Sequence, residues 1–334
     1  MNPDSAAQMS FDVPVLLITW RRPDTTRQVI DAMRAAAPSR VFVASDGPRT
    51  PEEAIKVQAT RELVASAIDW PCEIQTCYSS SNQGCRQGVS SAITWFFQQV
   101  EEGIILEDDC VPHPHFFEYC RELLKRYRHD LRVWCIGGSN FQDGQVRGDG
   151  SYYFSRYNHC WGWASWKRCW SHYDQNMPSF NSFLMQGLKD KFFSNPREAN
   201  YWHAIWQRLV QSGEPNTWDY QWLYTCVVNS GLTALPNCNL VQNIGAGEDA
   251  THTVEHVQSV PLDSQGLDSL IHPKFVYRDV DADHYTFQNH YGGLDLERQS
   301  TWHYQVRSKL MIAITKPTYY PRKVSQKLSE AIWP

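Results

Sequence analysis

The chain has 334 residues, a net charge of -5 from 31 basic and 36 acidic residues, and 13% aromatic residues that include 14 tryptophans. That balance gives no electrostatic case for a nucleic-acid partner. The length suffices to bury about 75% of the unfolded surface, which is room for one large α/β domain plus an appendage. The ten cysteines show no framework spacing and no Cys-x-x-Cys pair. Reduced thiols are therefore expected, with neither a disulfide scaffold nor a zinc site. Met1 to Asp12 carries neither a basic start nor an apolar stretch, and no run of about 18 apolar residues occurs. A cytoplasmic chain with no signal peptide and no membrane span is the expectation.

Val13 to Trp20 is a continuous apolar run and reads as a strand, followed by a helix over Pro23 to Ala35. Arg40 to Ala44 reads as a second strand that ends in Asp46-Gly47-Pro48, and Pro51 to Ala67 as a second helix. A third strand is expected at Glu73 to Cys77 and a third helix at Gly88 to Val100. Four strand-helix alternations in about a hundred residues predict a Rossmann-like, mostly parallel sheet with right-handed crossovers. No Gly-x-Gly-x-x-Gly follows the first strand, so dinucleotide binding is not supported.

The run Gly103-Ile104-Ile105-Leu106 then reads straight into Glu107-Asp108-Asp109. A strand buried on both faces would deliver three carboxylates at its carboxyl end, the edge where open α/β sheets bind ligands. Adjacent acids repel one another, so the cluster suits a hard divalent cation, Mn²⁺ or Mg²⁺, that brings a phosphate with it. A solvated acidic turn is the alternative. The segment Glu107 to Cys120, with its triplet, short proline-containing link and Phe116-Phe117-Glu118-Tyr119 helix start, resembles the metal-binding stretch of the N-acetylglucosaminyltransferase I family. From Gln83 through Trp170 the chain resembles bacterial family-2-like nucleotide-diphospho-sugar transferases.

The resemblance implies a GT-A fold over residues 11–260, with 261–334 as a C-terminal extension on the acceptor side or for docking. It implies Asp109 as direct metal ligand, with Asp108 or Glu107 on the metal or the ribose. Arg21 and Arg22, after the first strand, would lie by the nucleotide, together with Asn82, Gly84 and Arg86 in the loop before the third helix. Asp46 would accept from the base, although Asp-Gly-Pro also reads as a plain turn, and Arg86 could instead pair with a surface acid.

Phe116 to His129 is a helix with a mostly one-sided apolar stripe, and Arg132 to Gly138 a strand. Gly144 to Gly150 is a polar loop. In Trp161-Gly162-Trp163 the two indoles could wall a sugar pocket, as a similar element does in GT-A transferases. Trp163, Trp166 and Trp170 also follow helical spacing, and for Trp166 and Trp170 core packing is expected.

Ser179 to Leu209 is expected to be helical. A helix from Tyr220 to Asn229 starts after Trp218-Asp219, and a strand covers Leu232 to Val241. In the resembled family a Trp-Asp step at such a helix start supplies the general base, a role that falls on Asp219; an N-cap is the alternative. Glu248 and Asp249 are reserve bases, and His252 would complete the metal shell. The last stretch, Arg307 to Pro334, is basic and interleaved with apolar residues, so it could touch an anionic membrane surface or form a solvated helix.

The function expected is metal-dependent, inverting transfer of a sugar from a UDP-, GDP- or dTDP-sugar to a glycan or other hydroxyl acceptor. A sugar nucleotidyltransferase and a non-catalytic glycan-binding protein are the alternatives.

Overall fold

The computed structural model describes residues 11–300 apart from 194, 246–259, 264–266 and 268. The first part of the chain alternates as its pattern requires: Val15–Thr19 (β1), Pro23–Met33 (α1), Arg40–Ser45 (β2), Pro51–Ala67 (α2), Glu73–Tyr78 (β3), Gly84–Gln99 (α3) and Glu102–Glu107 (β4). Both α1 and α2 open on proline, whose fixed φ suits a first helical turn, and Thr50 caps α2 by accepting from the Glu53 N–H. Then follow Cys110–Pro112 (β5), Pro114–Tyr127 (α4), Val133–Gly137 (β6), Tyr152–Ser155 (β7), Trp163–Trp166 (β8), Lys167–Trp170 (α5), Phe180–Met185 (α6) and Leu188–Phe192 (α7). The described part ends with Pro196–Ser212 (α8), Asp219–Val228 (α9), Leu232–Pro236 (β9), Val241–Asn243 (β10), Val280–His290 (α10) and Gly293–Ser300 (α11).

Eight strands form one sheet in the order β3-β2-β1-β4-β8-β6-β9-β7. Strands β3, β2, β1 and β4 run parallel, as do β6 and β9, while β8 and β7 are antiparallel to their neighbours. This is the mostly parallel, helix-flanked sheet that the alternation predicts. From β1 the chain builds outward to β2 and β3, then returns to place β4 on the other side of β1. That reversal opens a crevice at the carboxyl ends of β1 and β4.

The irregular second half departs from the sequence reading in instructive ways. Trp163 and Trp166 lie on a strand, and a three-residue step on a strand sends side chains to opposite faces. Trp163 packs on Trp218 and Trp222, while the Trp166 indole N–H reaches the Leu124 carbonyl on α4. The expected helix over 179–209 is three helices, interrupted by Gly187 in the left-handed region (φ 64°) and by Pro196. The expected strand over 232–241 breaks after Pro236 into β9 and β10. Strand β7 carries no alternation to announce it, because Tyr152, Tyr153, Phe154 and Ser155 are all buried.

Three apolar clusters result among the described residues. One surrounds the sheet, the second is an aromatic cluster of Tyr157, Phe180, Phe183, Trp202, Trp206 and Tyr224 between α6, α8 and α9, and the third is small, Tyr153, Leu235 and Ala282. Phe287 of α10 belongs to the second cluster, so residues 280–290 pack into the body. They are pinned by buried Asp283, which accepts from Ser155 Oγ at 2.5 Å, the Arg156 N–H at 3.2 Å and Arg278 Nε at 2.5 Å. Burial pushes the Asp283 carboxyl up against the pull of Arg278. The pair therefore adds little net stability, but removing Asp283 leaves buried Ser155 and Arg156 and half-buried Arg278 without their acceptor. Asp283→Ala is expected to lower the unfolding free energy by about 3–5 kcal/mol, read from urea midpoints. A loss below about 1 kcal/mol would show that Asp283 does not hold α10.

Candidate functional site

The parallel register of β1 with β4 pairs Ile18 with Glu107. The residues that follow each strand must therefore face each other across the crevice. Asp108 accepts from the Trp20 N–H at 3.0 Å and from Arg22 Nη2, and the same nitrogen lies 3.0 Å from Asp109 Oδ2. Burial works against the Arg22 charge, but Asp108 and Asp109 outweigh it and raise the guanidinium pKa. Glu107 and Asp108 are pushed up, first by burial; Asp109 adds repulsion to both.

The neighbouring wall is built around Asp46. Its carboxylate accepts from the N–H groups of Gly47 at 2.8 Å, Gln83 at 2.9 Å and Gly84 at 3.2 Å, and from Asn82 Nδ2 at 2.9 Å. Those bonds satisfy the free N–H groups ahead of α3, which is why that helix starts a turn earlier than its apolar pattern suggests. Gly47 is held so close to Ser81 that a Cβ would sit 2.5 Å from its backbone. Asp46 thus orders two loops at once, and burial pushes its carboxyl up despite the donors it accepts from.

These elements enclose a cleft of about 330 Å³ lined by Trp20, Arg22, Asp46, Asn82, Gly84, Glu107, Asp108, Asp109, Trp161 and Asp219, among others. Asp219 reaches it from the first position of α9, and Thr217 Oγ1 donates to its carboxylate. Cys85 lies among these groups: burial, then Glu107, Asp219, Asp46 and Asp109, raise its thiol pKa. The cleft lining carries five carboxylates, Asp46, Glu107, Asp108, Asp109 and Asp219, against two guanidinium groups, Arg22 and Arg49.

Three expected residues fall elsewhere. Arg21 turns away to α2, pairing with Glu53 at 2.9 Å. Arg86 is directed at the 213–216 turn, where its N–H meets Asn216 Oδ1 at 3.2 Å and its side chain the Pro215 carbonyl at 3.5 Å. Trp163 is fully buried and stacks on Trp218 with ring centroids 5.6 Å apart, so it supports the wall from behind, and of the two indoles only Trp161 lines the cleft. His252, Glu248, Asp249 and the basic stretch Arg307 to Pro334 lie outside the described residues. No described helix is long and apolar enough to cross a membrane.

Sequence reasoning missed Trp20, Arg49, Asn216 and Thr217. Trp20 was hidden as the last residue of an apolar run, yet its ring takes Arg21 at 4.4 Å and Arg49 at 4.6 Å. Arg49 was legible as a cation three residues beyond Asp46 in the same loop.

Among the described residues no three His, Cys, Asp or Glu side chains form a ready ion cage. The donor set nonetheless fits a hard cation of the kind held by one or two carboxylates with substrate phosphates completing the shell. The excess of carboxylate over guanidinium in the cleft would otherwise repel an anionic ligand. Gly245 also crosses directly over Asp109, where a Cβ would lie 2.0 Å from Oδ2, so only glycine leaves that oxygen room.

Neither a protein-family model nor a curated protein matches the chain. Solved structures similar to it include 4-diphosphocytidyl-2C-methyl-D-erythritol synthase from Anaerococcus prevotii, at 10% identity and TM-score 0.37, covering 72% of this chain and 95% of that one. UDP-glucose pyrophosphorylase complexed with UDP-glucose gives 7% identity and TM-score 0.34 over 67% and 90% of the two chains. The glycosyltransferase GlyE of Streptococcus pneumoniae gives 10% and 0.33, with 67% of this chain matching 45% of that one. These likenesses are distant, and the fold assignment rests on strand order and register.

Arg22→Met tests the charge balance. Without the guanidinium, the Asp108 carboxyl rises further above its unfolded value. A carboxyl raised on folding takes up a proton on folding, so stability is kept at low pH and lost as pH rises through the folded pKa. The variant is expected to lose about 3–5 kcal/mol at about pH 8 and much less at about pH 5. Urea unfolding at the two pH values checks this; an equal deficit at both would rule out the electrostatic account.

Proposed function

We propose that this chain is a metal-dependent glycosyltransferase that moves a sugar from a nucleoside diphosphate donor to an acceptor hydroxyl with inversion. The observation that carries the reading is the meeting, in one cleft, of Asp109 from the turn after β4 and Asp219 from the start of α9, 110 positions later in the sequence. The resemblance of Glu107 to Cys120 to the N-acetylglucosaminyltransferase I family supports the same assignment of roles.

In this reading Mn²⁺ or Mg²⁺ would be held by Asp109, with Asp108 or Glu107 behind it, and would supply Lewis-acid stabilisation of the departing diphosphate. Asp219 accepts the proton of the acceptor hydroxyl as that oxygen forms its bond to the anomeric carbon and the bond to the diphosphate breaks. The Thr217 hydroxyl fixes the Asp219 carboxylate at the start of α9, the end of the helix that favours negative charge. Arg22 holds Asp108 and Asp109 in place, and Trp20 and Arg49 border the nucleotide end. Trp161 offers an indole face to the sugar.

A sugar nucleotidyltransferase would use a similar sheet, but its glycine-rich loop after the first strand is replaced here by Trp20-Arg21-Arg22. The test is a donor screen with Mn²⁺ across UDP-, GDP- and dTDP-sugars, run beside a nucleoside triphosphate plus sugar-1-phosphate assay. Nucleotide release from one donor is expected, and pyrophosphate release alone would favour the nucleotidyltransferase.

Asp219→Asn is expected to lower turnover about 10²–10⁴-fold with nucleotide affinity retained, since it removes only the proton acceptor. Asp109→Ala is expected to abolish the Mn²⁺-dependent thermal shift with nucleotide. Product NMR showing retained anomeric configuration would overturn the inverting assignment.

A further inference from the structure

We propose that the groove between α8, α9 and α11 binds an anionic oligosaccharide and seats it as the acceptor beside Asp219. This rests on the transferase reading. The groove, about 620 Å³, is lined by Arg197, Tyr201, Arg208, Pro215, Tyr220 and Leu296 with their neighbours. Helix α8 explains why it exists. Its apolar stripe, Ala199, Trp202, Trp206 and Leu209, is buried in the aromatic cluster. Arg197, Tyr201 and Arg208 recur at i, i+4 and i+11, which is a second stripe on an adjoining face.

The groove and the donor cleft share a wall. Residues Asn216 to Asp219 line the cleft, and Pro215 and Tyr220, immediately flanking them, line the groove. The Tyr201 and Tyr220 phenols are pushed up first by burial and then by the Asp219 charge, so the aromatic floor lies within electrostatic reach of the proposed base. Two tyrosine faces suit the apolar faces of sugar rings. Guanidinium forks at Arg197 and Arg208 suit a carboxylate or a phosphate. Arg197 lies 3.6 Å from Glu297, and Arg208 forms no ion pair among the described residues. On a chain of net charge -5, attraction for an anionic glycan has to be local.

Calorimetric titration of the full chain with three probes tests this: tri-galacturonate, a phosphorylated mannotriose and neutral maltotriose. One anionic probe is expected to bind at least about tenfold more tightly than maltotriose, and Arg208→Glu to remove that preference. The carboxylate or the phosphate probe, whichever binds, names the acceptor's anionic group. Lys274→Glu, an exposed residue that does not line the groove, is expected to leave the preference intact. No preference in the parent chain, an unchanged preference in Arg208→Glu, or an equal loss in Lys274→Glu would each overturn the proposal. Unfolding midpoints confirm that both exposed variants are folded. Nucleotide release without acceptor is measured separately, so a silent donor assay beside an intact groove preference would sink the transferase reading alone.

Discussion

The cleft depends on one guanidinium placed between two carboxylates that a buried strand brings to the sheet edge. Strand β4 has no freedom to spread its terminal acids, because Ile104, Ile105 and Leu106 are buried and register it against β1. Asp108 and Asp109 must therefore emerge together, and Arg22, just beyond β1, is where the paired strand returns a positive charge. The Trp20 N–H adds a neutral donor to Asp108. A buried charge is tolerable only when paired and hydrogen-bonded, and this arrangement meets that demand for Asp108 while leaving the cluster short of full neutrality.

The second constraint is the layer behind the cleft. Asp219 can be aimed inward only if the start of α9 is rigid, and Trp218 and Trp222 on either side of it are both buried against Trp163. The Arg86 contacts to Asn216 and Pro215 tie the turn before α9 to the first turn of α3. A side chain that the sequence offers as a phosphate ligand thus works as a brace between the two halves of the cleft. Asp283 does similar work further out, holding α10 to β7.

The parts of this structure that were readable from sequence are those where one physical signal acts alone. Helix α2 occupies the span expected, Pro51–Ala67, because a proline start, a Thr50 cap and good helix formers agree. The acidic end of β4 was readable because a buried run cannot end in three acids by pattern alone. What was not readable depended on contacts between distant segments. Trp163 carries the same residue type and glycine neighbour as Trp161, yet lies in the core because β8 pairs antiparallel with both β4 and β6. Arg21 and Arg22 are adjacent and identical in type, but only the second faces Asp108, since the first is drawn to Glu53 on α2. No local pattern distinguishes such pairs.

The distribution of hydrogen bonds divides the five cleft carboxylates by role. Asp46 accepts from donors of its own wall, and Asp108 accepts from Trp20 and Arg22. Glu107 is disfavoured as an anion by burial and by its two acidic neighbours. Asp109, under the backbone of Gly245 and 3.0 Å from Arg22, and Asp219, at a helix start beside Thr217, both line the cleft. The two positions differ in the charge they face. Asp109 sits beside other carboxylates, where a divalent cation lowers the local repulsion, whereas Asp219 sits at the positive end of a helix. The proposed transfer would require both a cation site and a proton acceptor, and Asp109 and Asp219 line the same cleft.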